Sequence, residues 1–224
     1  YKELGQFDQA LASTLKSLEL KPDNPSARKN IRAFIGQLNL SPSNAHNLMQ
    51  AYELLLNTTD ISHRKLTKLF LQIFLPSIQT ASTSNPIITD KNEAFTILTT
   101  DLRFRKSLSL MIPPSLEAEI FFTRIRKELL ALTAHKGKIP PHLKPLTEAL
   151  ALQCFLNEYV YTTSQEEQQM VAKLINIAAD DQEATDEYLA IIAIIIQVTK
   201  KSNPIRRLKP IKNPIYVATP LPPL

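Results

Sequence analysis

Gln153, Asn157, Glu158 and Tyr161 recur about one helical turn apart in the run Leu150 to Tyr161, so several share a face. Cys154, in the same run, is of a type that can act as a nucleophile, but no histidine lies near it in sequence to serve as its base. The four polar side chains could contact a ligand or a neighbouring domain. A third role is structural: a buried polar network that fixes helix register and is satisfied internally. The apolar neighbours Leu150, Leu152, Phe155 and Leu156 favour the structural role and make Cys154 a small, slow-reacting core residue.

Other chemistry is thinly supplied. His46, His63, His135 and His142 are scattered without metal-ligand spacing. Glu117 and Glu119 sit at the start of an amphipathic run, where carboxylates stabilise a helix N-terminus. Cys154 is the single cysteine, which excludes an intrachain disulfide and a cysteine-rich zinc site. A reducing, cytoplasmic location is the expectation. Gly5, Gly36 and Gly137 are the only glycines and lie far apart. A backbone that cradles phosphate needs clustered glycines, so a P-loop and a dinucleotide fingerprint are absent. No catalytic residue, metal or cofactor is expected in this chain.

The 224 residues carry a net charge of +5, with short basic groups such as Arg103/Arg105/Lys106 and Arg124/Arg126/Lys127. There is no tryptophan and no nucleic-acid-binding motif, so these groups read as solvated helix faces rather than a nucleic-acid surface. The apolar run Tyr188 to Val198 is far shorter than the ~20 residues that span a bilayer and reads as a buried helix. No membrane partner is expected.

The elements around these residues are helical throughout. Leu4 belongs to a truncated helix that a turn at Gly5-Gln6 ends, and Phe7, Ala10, Leu11, Leu15 and Leu18 mark one helix after it, which Pro22 stops. Ala27, Ile31, Phe34, Ile35 and Leu38 mark a second over 25–40. Leu48, Tyr52, Leu55 and Leu56 belong to a third, from Ser43 to Leu56. The next, capped by Ser62, buries Leu66, Leu69, Phe70 and Ile73 and runs to Pro76, before a polar loop over 79–86. Asp90-x-x-Glu93 reads as a capping box opening a helix through Phe95 and Leu98. Leu102, Leu108 and Leu110 carry a further segment. From Ser115 a long helix buries Leu116, Ile120, Phe121, Ile125, Leu129 and Leu132, with Arg124, Arg126 and Lys127 outside and Gly137 at its end. Helices over Leu146–Tyr161 and from the capping box Ser164-x-x-Glu167 follow, and then the isoleucine-rich helix to about Lys200. Six prolines after Asn203 make 201–224 a proline-rich linker. The expected fold is all-α, with residues 1–40 one unit and 43–200 a separate, irregular helical bundle.

Tyr1, Gly5, Phe7, Ala10 and Pro22 fall at the spacing of a tetratricopeptide repeat, and residues 1–25 resemble its second half. Ser17 departs from the alanine usual at that place. Such repeats stack on one another, so the resemblance implies a preceding repeat, a chain that is a piece of a longer protein, and a protein or peptide partner. The opening at Tyr1, inside the repeat pattern, fits that expectation. The stretch Gln153-Cys154-Phe155-Leu156-Asn157-Glu158-Tyr159-Val160 resembles bacterial proteins that join tetratricopeptide repeats to a class I methyltransferase domain. Leu116 to Leu130 and Tyr216 to Leu221 resemble the same family more loosely. This resemblance implies a non-catalytic helical region beside an S-adenosylmethionine-dependent domain beyond Leu224. The first reading is therefore an interaction and linker region; the alternative is the accessory half of a methyltransferase.

Overall fold

A computed structural model describes residues 6–58, 63–157, 164–180 and 191. Among these residues the chain is all-α, with no strand. Nine α-helices follow in order: α1 (Phe7–Leu20), α2 (Pro25–Phe34), α3 (Ala45–Leu56), α4 (His63–Ser82), α5 (Glu93–Thr100), α6 (Leu102–Leu108), α7 (Leu116–Lys136), α8 (Lys144–Leu156) and α9 (Gln165–Asp180). Tyr1, Leu4, Gly5, Glu158, Tyr159 and Tyr161, the Ser62 cap and the linker over 201–224 lie outside the described residues. So does the isoleucine-rich helix except Ile191, which is buried.

Short-range chemistry sets most helix ends. Asn24 caps α2 by accepting the amides of Ser26 and Ala27 at 3.1 and 3.2 Å, and Pro25 occupies the first helical position, where no amide is needed. The Asn24 amide also donates to Ser17 Oγ at 2.9 Å. The serine that departs from the repeat pattern thus fastens the α1–α2 turn. Ser115 caps α7, and Gly137 closes it at φ 71°, a left-handed conformation. Ser164 and Glu167 form the expected reciprocal box: Ser164 N–H to Glu167 Oε2 at 2.8 Å, and Glu167 N–H to Ser164 Oγ at 3.2 Å.

Elsewhere the structure corrects the pattern. Helix α4 runs through Pro76 to Ser82, so much of the expected loop over 79–86 is helical. A proline removes one amide and crowds one carbonyl, but packing on both sides of it keeps the helix whole. The cap of α5 is Asn92, not Asp90. Its Oδ1 accepts Phe95 N–H at 3.1 Å, while its Nδ2 donates to Ala81 and Ile87 carbonyls at 3.0 and 2.9 Å. A carboxylate could cap but could not donate, and this site is buried. Helix α8 ends at Leu156, short of Tyr161. Leu102 and Leu110 are exposed, and Leu108 alone of the α6 leucines enters the core.

One buried cluster draws residues from every helix. At its centre the rings of Phe70, Phe74, Phe104 and Phe122 meet with centroids 5.2–6.3 Å apart. Tyr52 joins them against Phe74 at 6.1 Å. The Tyr52 and Ser107 hydroxyls lie 2.6 Å apart. Ser107 donates its one hydrogen to the Arg103 carbonyl at 2.6 Å, so Tyr52 is the donor between them. Burial pushes the Tyr52 phenol well above its ordinary value.

The first two helices join this core directly. Helix α1 packs on both α2 and α3. Asn44, buried before α3, donates to Asp8 Oδ1 on α1 at 2.7 Å and to the Asn39 carbonyl at 2.9 Å. Along α4, Lys65 donates to the Arg32 carbonyl, Lys68 to the Gly36 carbonyl at 2.7 Å, and Gln72 to the Leu38 carbonyl at 3.3 Å. These three residues share one face of α4 and take up carbonyls left without intrahelical partners at the end of α2 and its 3-10 turn, Ile35–Gln37.

Candidate functional site

Helix α8 holds the first group singled out by sequence. Gln153 and Cys154 are buried, and Asn157 sits at the helix end with its amide bonded to the Gln153 carbonyl at 2.9 Å. Phe155 points the other way and is 65% exposed; Leu152 and Leu156 are exposed beside it. The run is therefore apolar on both faces, and only one of them is core. Burial pushes the Cys154 thiol up to about 12, with the Arg126 charge opposing. A thiol so poised is protonated near neutrality and is no nucleophile.

Arg126 is the main correction here. Expected on the outer face of α7, it is 1% exposed and pairs with Glu167 of α9 at 3.0 Å. The reason is helical spacing. Arg126 lies four residues after Phe122 and four before Leu130, both buried. Leu116 and Ile120, expected inside, fall on the opposite face and are 68% and 51% exposed. Glu167 uses its second oxygen for the capping box, with Lys127 at 3.8 Å from it. The carboxylate thus ties the start of α9 to α7. Arg124 and Glu128, one turn apart on α7, hold the α4–α5 connection. Arg124 donates to the Ser82 and Ser84 carbonyls at 2.8 Å, and Glu128 accepts the Ile87 and Ile88 amides at 3.0 and 2.8 Å. These charged groups are positioned to hold elements together rather than to converge on an open space.

The open space lies elsewhere, between α1, α2 and α3. A recess of about 90 Å³ has Leu18, Ile31, Leu54 and Leu55 on its floor and walls, with Arg28, Arg32, Asn57 and Thr58 at its margins. It continues along α1 and α3 past Leu15, Glu19, Gln50 and Glu53. Beyond Glu53 an open trough reaches the α5–α6 corner, where Ile97 and Leu102 are exposed beside Asp101 and Arg103. Asp101 caps α6 and pairs with Arg103 at 2.7 Å; burial raises its carboxyl, but the Arg103 hydrogen bonds outweigh this and hold it below the usual carboxylate range.

Of the repeat residues, Phe7 stacks on Phe34 of α2 with centroids 6.4 Å apart, and Ala10 is buried. Pro22 is exposed in the turn, where its carbonyl accepts Arg28. These residues build the α1–α2 pair that walls the recess. The lining residues Arg28, Leu54 and Asn57 were not singled out by sequence. The i, i+4 pair Arg28/Arg32 and an exposed-side leucine in Glu53-Leu54 were the available signals. Among the described residues, no group of three or more histidine, cysteine, aspartate or glutamate side chains could hold a metal ion, and no helix is long and apolar enough to cross a membrane. No protein-family model, curated protein or solved structure matches the chain.

Proposed function

We propose that this chain is a non-catalytic protein-interaction region of a longer tetratricopeptide protein. The observation that carries the reading is the apolar-floored recess and trough along α1, α2 and α3. Leu54 remains partly exposed there although it neighbours the buried Leu55 and Leu56. An apolar recess with a polar margin on a rigid helical frame suits the side chains of a peptide partner. Panning a library of short random peptides against the protein tests this. Enriched peptides should compete with one another and lose affinity for Leu54→Glu. A panel that binds Leu54→Glu as well as the parent would overturn it.

A second reading, an adjoining methyltransferase domain seated on α8, is favoured by the exposure of Leu152, Phe155 and Leu156 on the helix with the family-like stretch. A Leu152→Cys label tests it. Labelling should be slow in the longer gene product and fast in residues 1–224; equal rates count against the cover.

A further inference from the structure

We propose that α9 is a strap that lifts from α7 as a unit, with the Arg126–Glu167 pair as the seat that closes it. The inference concerns a motion at the far side of the molecule and does not depend on the recess.

Two contacts fix how α9 lies. Glu167, in its first turn, pairs with Arg126 at 3.0 Å and stands 3.8 Å from Lys127. Six residues on, Lys173 Nζ donates to the Ala134 carbonyl at 3.2 Å, eight residues farther along α7. Both helices advance together, so α9 runs parallel to α7. Arg126, Leu130 and Ala134 are spaced by four and share one stripe of α7, with Leu130 buried between the two contacts. The matching stripe of α9 is Glu167, Val171, Leu174 and Ile175, all buried. Its other side, with Gln165, Gln169, Ala172 and Asn176, is exposed. The main packing of α9 is on α7, whereas α7 also packs on α4 and α8.

The strap and the core are held by different forces. Around α4, α6 and α7 the hold is the ring cluster of Phe70, Phe74, Phe104 and Phe122. Parting those rings exposes apolar surface and gains nothing in return. The α7–α9 contact places a carboxylate and a guanidinium at its first turn, both almost fully buried. Lifting α9 returns these charges to water, and the recovered hydration offsets much of the lost attraction. The apolar hold is then left to Val171, Leu174 and Ile175, with Met170 and Ile177 partly buried beside them. A helix with one packed face and a charged seat opens before the core does. The open form is a minor excursion of the folded protein and adds no separate step to a melt. Closed, the strap hides Arg126; open, it uncovers Arg126 and the Leu130 stripe together.

Native-state hydrogen exchange of the whole chain, read by mass spectrometry in low urea, tests this. Amides over 168–176 should exchange through an opening at least about tenfold more populated than the one that exposes α4. That opening should depend less on urea, because less surface is uncovered. Glu167→Gln keeps an oxygen for the capping box, in which glutamine also serves, and removes the charge that faces Arg126. It should speed α9 exchange by about tenfold and leave α4 unchanged, with helical circular dichroism preserved. A single opening shared by α9 and α4 in the parent protein, with equal urea dependence, would overturn the strap whatever the variant does. So would α9 amides with no protection, since no closed form would then exist. Unaltered α9 exchange in Glu167→Gln would overturn the seat.

Discussion

Cys154 shows how a reactive residue type becomes inert by placement. It is buried on the inner face of α8, and its thiol is pushed up to about 12 by that burial. Native protein should therefore react with a thiol reagent far more slowly than the chain in denaturant. Matching rates would place the thiol at the surface. Asp101 is the opposite case, a carboxyl held below its ordinary range. Because its folded value is depressed, its contribution to stability is complete above the unfolded carboxylate value and is lost as pH falls through the folded one. Asp101→Ala should cost about 1 kcal/mol at neutral pH, the usual worth of such a cap. The gap between variant and parent should narrow in strong acid, as read by urea unfolding at several pH values. Arg126 and Glu167 form the third case. Removing one partner of a buried pair takes away much of the other charge's compensation, so Glu167→Leu should cost about 3 kcal/mol. Arg126→Leu/Glu167→Leu should recover most of that loss, less the cap that Glu167 supplies to α9. A double variant no better than the single would show that the charge is not the source of the cost.

At the scale of elements, helix ends carry much of the design. Gly137 holds φ 71° and a Cβ there would meet nothing within 4 Å. Only backbone conformation opposes a side chain, so Gly137→Ala should cost about 1 kcal/mol and Gly137→Asn less. Thermal melts of the two variants check this; equal loss in both would point to packing instead. The α4 ladder of Lys65, Lys68 and Gln72 acts on the end of another helix rather than its own. Lys68→Met keeps most of the stem and removes the donor. It should cost about 1 kcal/mol, with enhanced hydrogen exchange over 31–38. An unchanged exchange pattern would mean that the lysine is not what fixes the α2 end.

For the whole molecule, the first two helices are attached through apolar packing on α3, the Asp8–Asn44 bond and the α4 ladder. Residues 6–40 and the helices that follow should therefore unfold in one cooperative transition, although the sequence pattern suggests a unit boundary near Leu40. Two transitions by circular dichroism, with a probe on α1 melting separately from one on α7, would restore two independent units. The same attachment gives the proposed binding recess its rigidity, since its walls come from both sides of that boundary.

The helical class, the caps at Ser115 and Ser164 and the glycine stop at 137 were legible in the sequence because they depend on neighbours within one turn. So was the burial of Leu48, Leu55, Phe95, Leu98 and Leu174, where a single apolar stripe faces one core. Tertiary structure decided the rest. Helix α7 carries two apolar stripes, and only the packing of α4, α8 and α9 selects which one is buried, taking Arg126 in and leaving Leu116 and Ile120 out. Helix α4 passes Pro76 because its neighbours hold both halves. Asn92 displaces Asp90 as the cap because the carbonyls it must also satisfy belong to residues 81 and 87. Such choices depend on groups brought together from distant parts of the chain, and no local pattern contains them. The recess between α1, α2 and α3 has the same origin. Each of its walls is an ordinary helix face in the sequence, and only their meeting makes a site.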